Sequence, residues 1–412
     1  MRTSDRRALI FILSTVTLDA MGIGLLIPVI PRLILQLSGR GLTQAAIYGG
    51  WLTATFATVQ FLAGPILGSL SDRLGRRPVL LVSLAAFGVS YVLMAFAPTI
   101  LWLFVAQAIT GLFGATPATA GAYIADISEP EERTQRFGSM AAAFGTGLIL
   151  GPALGGVLVG YGLRVPFFAA AGLSLITVLY GAWVLPESLR AELRRPLSFS
   201  RANPVGAMLE LSRVEGVALL LGTAFFQRVA TSTIPATWPY FTMQEYGWSA
   251  QAVGYSLAAY GASAVVIQAG LLRWIAARIE TRGAAALGLG MLALGFVGFA
   301  FGRGPWIVAT CVPLTAMGFM AGPALTSMLS ADIAADAQGT LQGVLASING
   351  VAAVLTPLGM PWLFSVFSSG AVGVRFPGAP YLLAATLALV GLALVRRAEA
   401  NRRLTAQARA AH

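Results

Sequence analysis

The chain has 412 residues, 57% of them hydrophobic and only 10% charged, with a mean hydropathy of +0.78. Soluble globular chains run about 45–50% apolar and about 25% charged, so these proportions exclude an ordinary soluble domain and point to a polytopic membrane protein. Net charge is +11 and every basic residue is Arg; a basic balance that would invite a nucleic-acid reading in a soluble chain is explained here by loops on one side of a membrane.

Two residue types are nearly missing, and their scarcity limits the chemistry. Cys311 is the lone cysteine, so no disulfide forms within the chain, and His412 is the lone histidine. A His-based metal site or proton relay inside the membrane is therefore excluded. Lys is absent, so there is no phosphate-binding Gly loop followed by Lys, and ATP hydrolysis is not expected. No cofactor, metal or catalytic residue is expected, and the chain reads as a non-enzyme.

Twelve apolar runs follow one another, each near the ~20 residues needed to cross the hydrocarbon core. They lie at about 8–35, 46–70, 79–97, 100–125, 137–160, 165–185, 215–243, 250–274, 284–301, 305–331, 340–366 and 379–397. The first run is long enough to span, so no cleavable signal peptide is expected. Connections are short except 186–214, which carries Arg190, Arg194, Arg195, Arg201 and Arg213 against Glu187, Glu192 and Glu210. This predicts a six-helix bundle at 1–185, a linker at 186–214, and a second six-helix bundle with a short tail at 215–412. Substrate sites of transporters with this plan lie between the bundles near the midplane.

Arginine placement sets the orientation. With the N-terminus inside, 21 arginines fall on the inner side and five on the outer side, with Arg228 alone inside a span. Both termini are expected to be cytoplasmic.

The segment GSLSDRLGRRP at 68–78 joins spans two and three. Gly68 and Gly75 permit close backbone approach or positive φ, and Pro78 suits the first turn of the next helix. Asp72, Arg73, Arg76 and Arg77 are thereby fixed at the membrane surface. The segment 273–283 occupies the matching place after span eight and keeps its arginines and Gly283. In span five, Gly147, Gly151 and Gly155 recur every four residues beside Pro152. They share one face where helices can approach closely, and span eight offers Gly254, Ala258 and Ala262 as a matching face.

Ionisable groups at membrane depth are costly and mark pathways. Asp19 lies midway along span one; a lone carboxyl group in apolar surroundings resists ionisation and is the candidate for proton coupling. Arg228 lies in span seven and keeps its charge. Asp126 and Asp332 end spans near the inner surface, as gate or capping groups. Gln60, Gln107, Gln227, Trp238, Tyr240, Gln268, Gln342 and Asn349, with Arg228, are the candidate lining of a cavity for an amphipathic organic substrate.

The loop pattern G-x-L-x-D-R-x-G-R-R resembles the signature after the second helix of major facilitator transporters. G-x-x-x-G-P-x-x-G-G in span five is similar to the fifth-helix motif of the antiporter branch. LDAMGIGL (18–25), IAD (124–126), PFF (166–168), IPATW (234–238) and LQG (341–343) resemble tetracycline-type efflux proteins, and these matches cover nearly the whole chain. The resemblance implies a twelve-helix, all-α major facilitator fold that exports drugs in exchange for protons. It also implies an Asp72 near the start of span eleven, around 339–342, and a pair between Arg76 and Asp126. A monomer in the lipid bilayer of a bacterial inner membrane is the expected setting, with a small molecule and protons as its partners. Three positions depart from the pattern: Gln107 stands where such antiporters carry a membrane-embedded Arg, and Ser90 and Leu292 stand where tetracycline pumps carry acids. Two other readings remain at this point. One is an importer or uniporter of an organic anion using Arg228; the other is a non-transporting membrane sensor or scaffold.

Overall fold

The computed structural model describes residues 3–114, 116–189, 192, 194, 211, 214, 216–271, 278–304, 306–334, 337–371 and 373–410. Most of the expected linker at 186–214 lies outside these residues. The described chain is helical, and by contact it divides into two units. The first comprises Met1–Arg201 with Thr242–Gly261, the second Ala202–Phe241 with Ala262–His412.

The first unit holds α1 (Thr3–Leu26), α2 (Ile30–Ser38), α3 (Leu42–Leu74), α4 (Arg76–Phe96), α5 (Ile100–Leu112), α6 (Thr116–Asp126), α7 (Pro130–Leu158) and α8 (Val165–Val184). The run at 8–35, read as one span, is two helices: α1 stops at Leu26 and α2 starts at Ile30. Pro28 and Pro31 lack N–H donors, and the chain turns there through Ile27 and Val29 N–H bonds to Gly24 and Leu26. Span four is likewise broken, into α5 and α6. Within this unit α1 lies along α7, α4 along α8, and α3 along α5. Phe11, Ile12 and Val16 of α1 pack with Leu80 of α4 and with Ala120, Tyr123 and Ile124 of α6. In lipid such contacts stabilise through van der Waals fit rather than through loss of water.

α9 (Val217–Glu245) and α10 (Ala250–Val266) each contribute to both units. The second unit is completed by a π-helical turn (Ile267–Leu271), α11 (Thr281–Phe301), α12 (Trp306–Met317), α13 (Ala321–Asp332), α14 (Gln338–Ser369) and α15 (Ala379–Ala410). Here α11 packs on α12, α13 and α15. Pro235 and Pro239 in α9, and Pro357 and Pro361 in α14, lie inside the helices. Neighbouring groups re-satisfy the freed carbonyls in membrane helices.

Among the described residues, eleven helical stretches are long and apolar enough to cross a membrane. The run at 250–274 falls short of that length because α10 has 17 regular residues before the π turn. The chain is thus an all-helical, multi-pass membrane protein.

Candidate functional site

A cavity of about 330 Å³ opens within the second unit. Gln227 and Arg228 reach it from α9, Gln268 from the π turn, and Gln342 and Asn349 from α14. Helical spacing places them together: Ala224, Arg228 and Thr231 share one face of α9, as do Gln342, Leu345 and Asn349 of α14. Gln268 lies in the π turn, a feature often found at functional sites. Gln227 Nε2 donates to Gly318 O at 3.4 Å, and Thr231 Oγ1 donates to Gln227 O at 3.0 Å. Arg228 is exposed into the cavity and takes part in none of the ion pairs among the described residues. It is the one ionisable residue in the lining.

Four other residues expected to line a cavity sit elsewhere. Trp238 is 2% exposed and fills an aromatic cluster, with ring centroids 4.8 Å from Phe299, 6.2 Å from Phe241 and 6.3 Å from Tyr381. Tyr240 is buried as well and is not in the lining. The same apolar ring that could face a substrate serves here as core packing. Gln60 lies in the first unit, where its Nε2 donates to Gly114 O at 2.7 Å and clips α3 to the break between α5 and α6. Gln107 is half-buried on α5 in that unit.

Asp19 is buried in α1, and its Oδ1 has no hydrogen-bond partner. Thr15, one turn earlier, has an equally unpartnered hydroxyl. The Tyr91 hydroxyl lies beside Gly22, where a Cβ would come within 2.7 Å of it. None of the ion pairs among the described residues involves Asp19. At the departing positions, Ser90 is buried and donates to Ala86 O at 2.9 Å, while Leu292 is fully buried against Gly318. Ser90 is thus a hydroxyl satisfied within its own helix, and Leu292 is an apolar packing residue.

The loop after α3 forms a polar cluster. Arg76 Nε lies 3.3 Å from Asp126 Oδ2, and its Nη1 pairs with Asp72 and donates to Ser71 Oγ at 2.7 Å. Gly75 has φ +109°, a conformation other residues rarely take. Gly68 has open space where a Cβ would go, so close approach is not its role. Arg73 is exposed. Arg77 Nη2 donates to Ala182 O at 2.6 Å. The end of span six adds a contribution that the apolar runs and the loop pattern do not show. Glu187 accepts from the backbone N–H of Arg76 at 2.8 Å and of Arg77 at 3.3 Å. Ser188 Oγ donates to Asp126 Oδ2 at 2.9 Å. A Pro-Glu-Ser run directly after an apolar span was the signal available.

The glycine face of α7 meets a different partner from the one expected. Cβ atoms at Gly147, Gly151 and Gly155 would lie 2.3, 2.5 and 2.1 Å from Thr17 O, Met21 O and Leu25 O of α1. Contact with α10 runs along the adjacent edge instead: a Cβ at Gly254 would lie 2.2 Å from Pro152 O, and one at Gly156 would lie 3.0 Å from Gln251 Cα. The spacing marks a close-packed face, and α1 fills it because its small Ala20 and Gly24 lie opposite.

Comparison with known proteins places this architecture. The chain is 38% identical to the class C tetracycline resistance protein of Escherichia coli, over 95% of this chain and 97% of the relative. It is 35% identical to the class G tetracycline resistance protein of Vibrio anguillarum, over 95% of this chain and 98% of the relative. Among solved structures, the human organic anion transporter MFSD10 superposes with a TM-score of 0.70 at 22% identity, over 95% of this chain and 99% of that one. The nucleoside transporter NupG superposes with a TM-score of 0.79 at 12% identity, over 95% and 99%; these likenesses concern the fold. The Major Facilitator Superfamily profile matches residues 12–357. With that match, end-to-end relatives at this identity and a helical membrane fold with a polar cavity, the chain belongs to the Major Facilitator Superfamily.

Proposed function

We propose that this chain is a proton-coupled exporter of small amphipathic drugs, of the tetracycline-efflux type. One observation carries the reading: the 38% identity to a tetracycline resistance protein runs across 95% of this chain and 97% of that relative. A polar cavity with apolar walls in the second unit supports it, as does a buried carboxyl group in the first. The transporter works by alternating access, with twelve spans in two six-helix bundles at 1–185 and 215–412 joined by the linker at 186–214. It sits as a monomer in a bacterial inner membrane with both termini in the cytoplasm, a placement supported by the 21-to-5 division of loop arginines. Substrate binds at Gln227, Arg228, Gln268, Gln342 and Asn349, and Asp19 carries the exchanged proton. Asp72, Arg76 and Asp126 form the cytoplasmic gate. No covalent chemistry is involved.

Everted membrane vesicles from cells expressing the chain test this reading. Energised vesicles should take up tetracycline, and adding the drug should discharge part of an imposed pH gradient. Uptake no greater than in vesicles lacking the chain, with the gradient undisturbed, would remove drug efflux as its function.

A further inference from the structure

We propose that the cavity of the second unit is a site for an anionic oxygen group, carboxylate or enolate, on an amphipathic aromatic molecule. Its role as the transported group rests on the efflux reading above; its capacity to bind does not. Three observations converge. First, the cavity holds one charge and that charge is positive: Arg228 faces it, and no Asp or Glu is among the lining residues. An arginine in mid-span costs about 3 kcal/mol even on the mildest insertion scale. Arg228 pays for no ion pair among the described residues in return. Second, the side-chain amides of Gln268, Gln342 and Asn349 are exposed in the same cavity, and among the described residues they make no hydrogen bond. They can donate N–H groups beside the guanidinium, whose planar fork binds two oxygens at once. Third, Phe319, Leu345 and Ile348 supply apolar wall. The volume of about 330 Å³ falls within the ordinary range for small organic ligands, which favours an organic acid over an inorganic anion. A cationic drug would meet an unscreened like charge here, with no carboxylate in the lining to receive it.

The test is a charge series on one scaffold: 2-naphthoate, 2-naphthamide and 2-(aminomethyl)naphthalene, each titrated into the purified full chain in lipid nanodiscs without any gradient. Naphthoate should bind at least tenfold more tightly than naphthamide, a ratio of about 1.4 kcal/mol, and the amine should bind weakest. Arg228→Gln should bring naphthoate to within about twofold of the amide, and Arg228→Lys should keep part of the preference. An amine that binds as tightly as the acid, three equal affinities, no binding by any of the three, or a preference that survives Arg228→Gln would each overturn the proposal. Should Arg228→Gln fail to fold, the wild-type series decides alone. Because no transport is measured, naphthoate selectivity alongside vesicles that move no tetracycline would retain the anion site and discard the efflux reading.

Discussion

The Glu187 carboxylate accepts the backbone N–H of Arg76 at 2.8 Å, reaching from the end of span six to the first turn of α4. The same carboxylate takes the N–H of Arg77 at 3.3 Å. Two of the four donors that a helix start leaves unpaired are thus satisfied by a side chain 111 positions away. The helix dipole adds to the attraction. The space for that carboxylate exists because position 75 is glycine: a Cβ there would lie 2.2 Å from Glu187 Oε2.

Glu187→Ala should therefore destabilise the protein by about 0.5–2 kcal/mol, the usual cost of a lost cap, and Glu187→Gln by less. Gly75→Ala should cost more, through both its φ of +109° and the collision. The two changes should be non-additive: in a Glu187→Ala background, Gly75→Ala loses the collision and keeps only the backbone strain. Thermal unfolding in detergent checks this. Additive losses would mean that the carboxylate does not occupy the glycine's space in the membrane-embedded protein.

The α1–α7 contact makes a second prediction. Gly151→Leu should lower stability by more than the about 1–3 kcal/mol of ordinary overpacking, because its neighbours are Met21 O at 2.5 Å and Gly24 Cα at 2.9 Å, backbone atoms that cannot rotate away. Gly138→Leu on the same helix, where nothing lies within 4 Å, should be tolerated. Melting temperatures of the two variants decide it; equal values would place the glycine face against lipid.

The proposed gate is tested by crosslinking cysteines at positions 72 and 341 in a Cys311→Ser background, since Cys311 is the one native thiol. Yield should change when tetracycline is added. A yield that never varies with substrate would reduce the Arg76–Asp126 pair to a static brace.

How far residues announced their roles depended on whether one chemistry or several could explain them. Arg228, Gln268, Gln342 and Asn349 stand out because a polar group in an apolar helix has few uses; the structure brings them to one cavity, proposed above to hold substrate. Trp238 was not legible, since an aromatic ring suits a core as well as a ligand wall, and it lies among Phe299, Phe241 and Tyr381. Spacing identified the face of Gly147, Gly151 and Gly155 but could not name its partner, because small residues on α1 and α10 carry the same signal. The role of Glu187 was not legible, because it depends on a contact across more than a hundred residues. The break between α1 and α2 could have been read from Pro28 and Pro31, which hydropathy alone passes over.

Asp19 carries the central claim. Its Oδ1 is buried without a partner, and it joins none of the ion pairs among the described residues. A neutral amide should therefore replace it without loss of fold, while removing the one group in the first unit's helix interiors proposed to bind and release a proton. The direct measurement is tetracycline flux in proteoliposomes under an imposed pH gradient, wild type against Asp19→Asn, with downhill exchange measured alongside. The expected result is gradient-driven accumulation by the wild type, its loss in Asp19→Asn, and exchange and melting temperature close to wild type in the variant. Equal responses of the two proteins to the gradient would contradict it and move proton coupling to another residue.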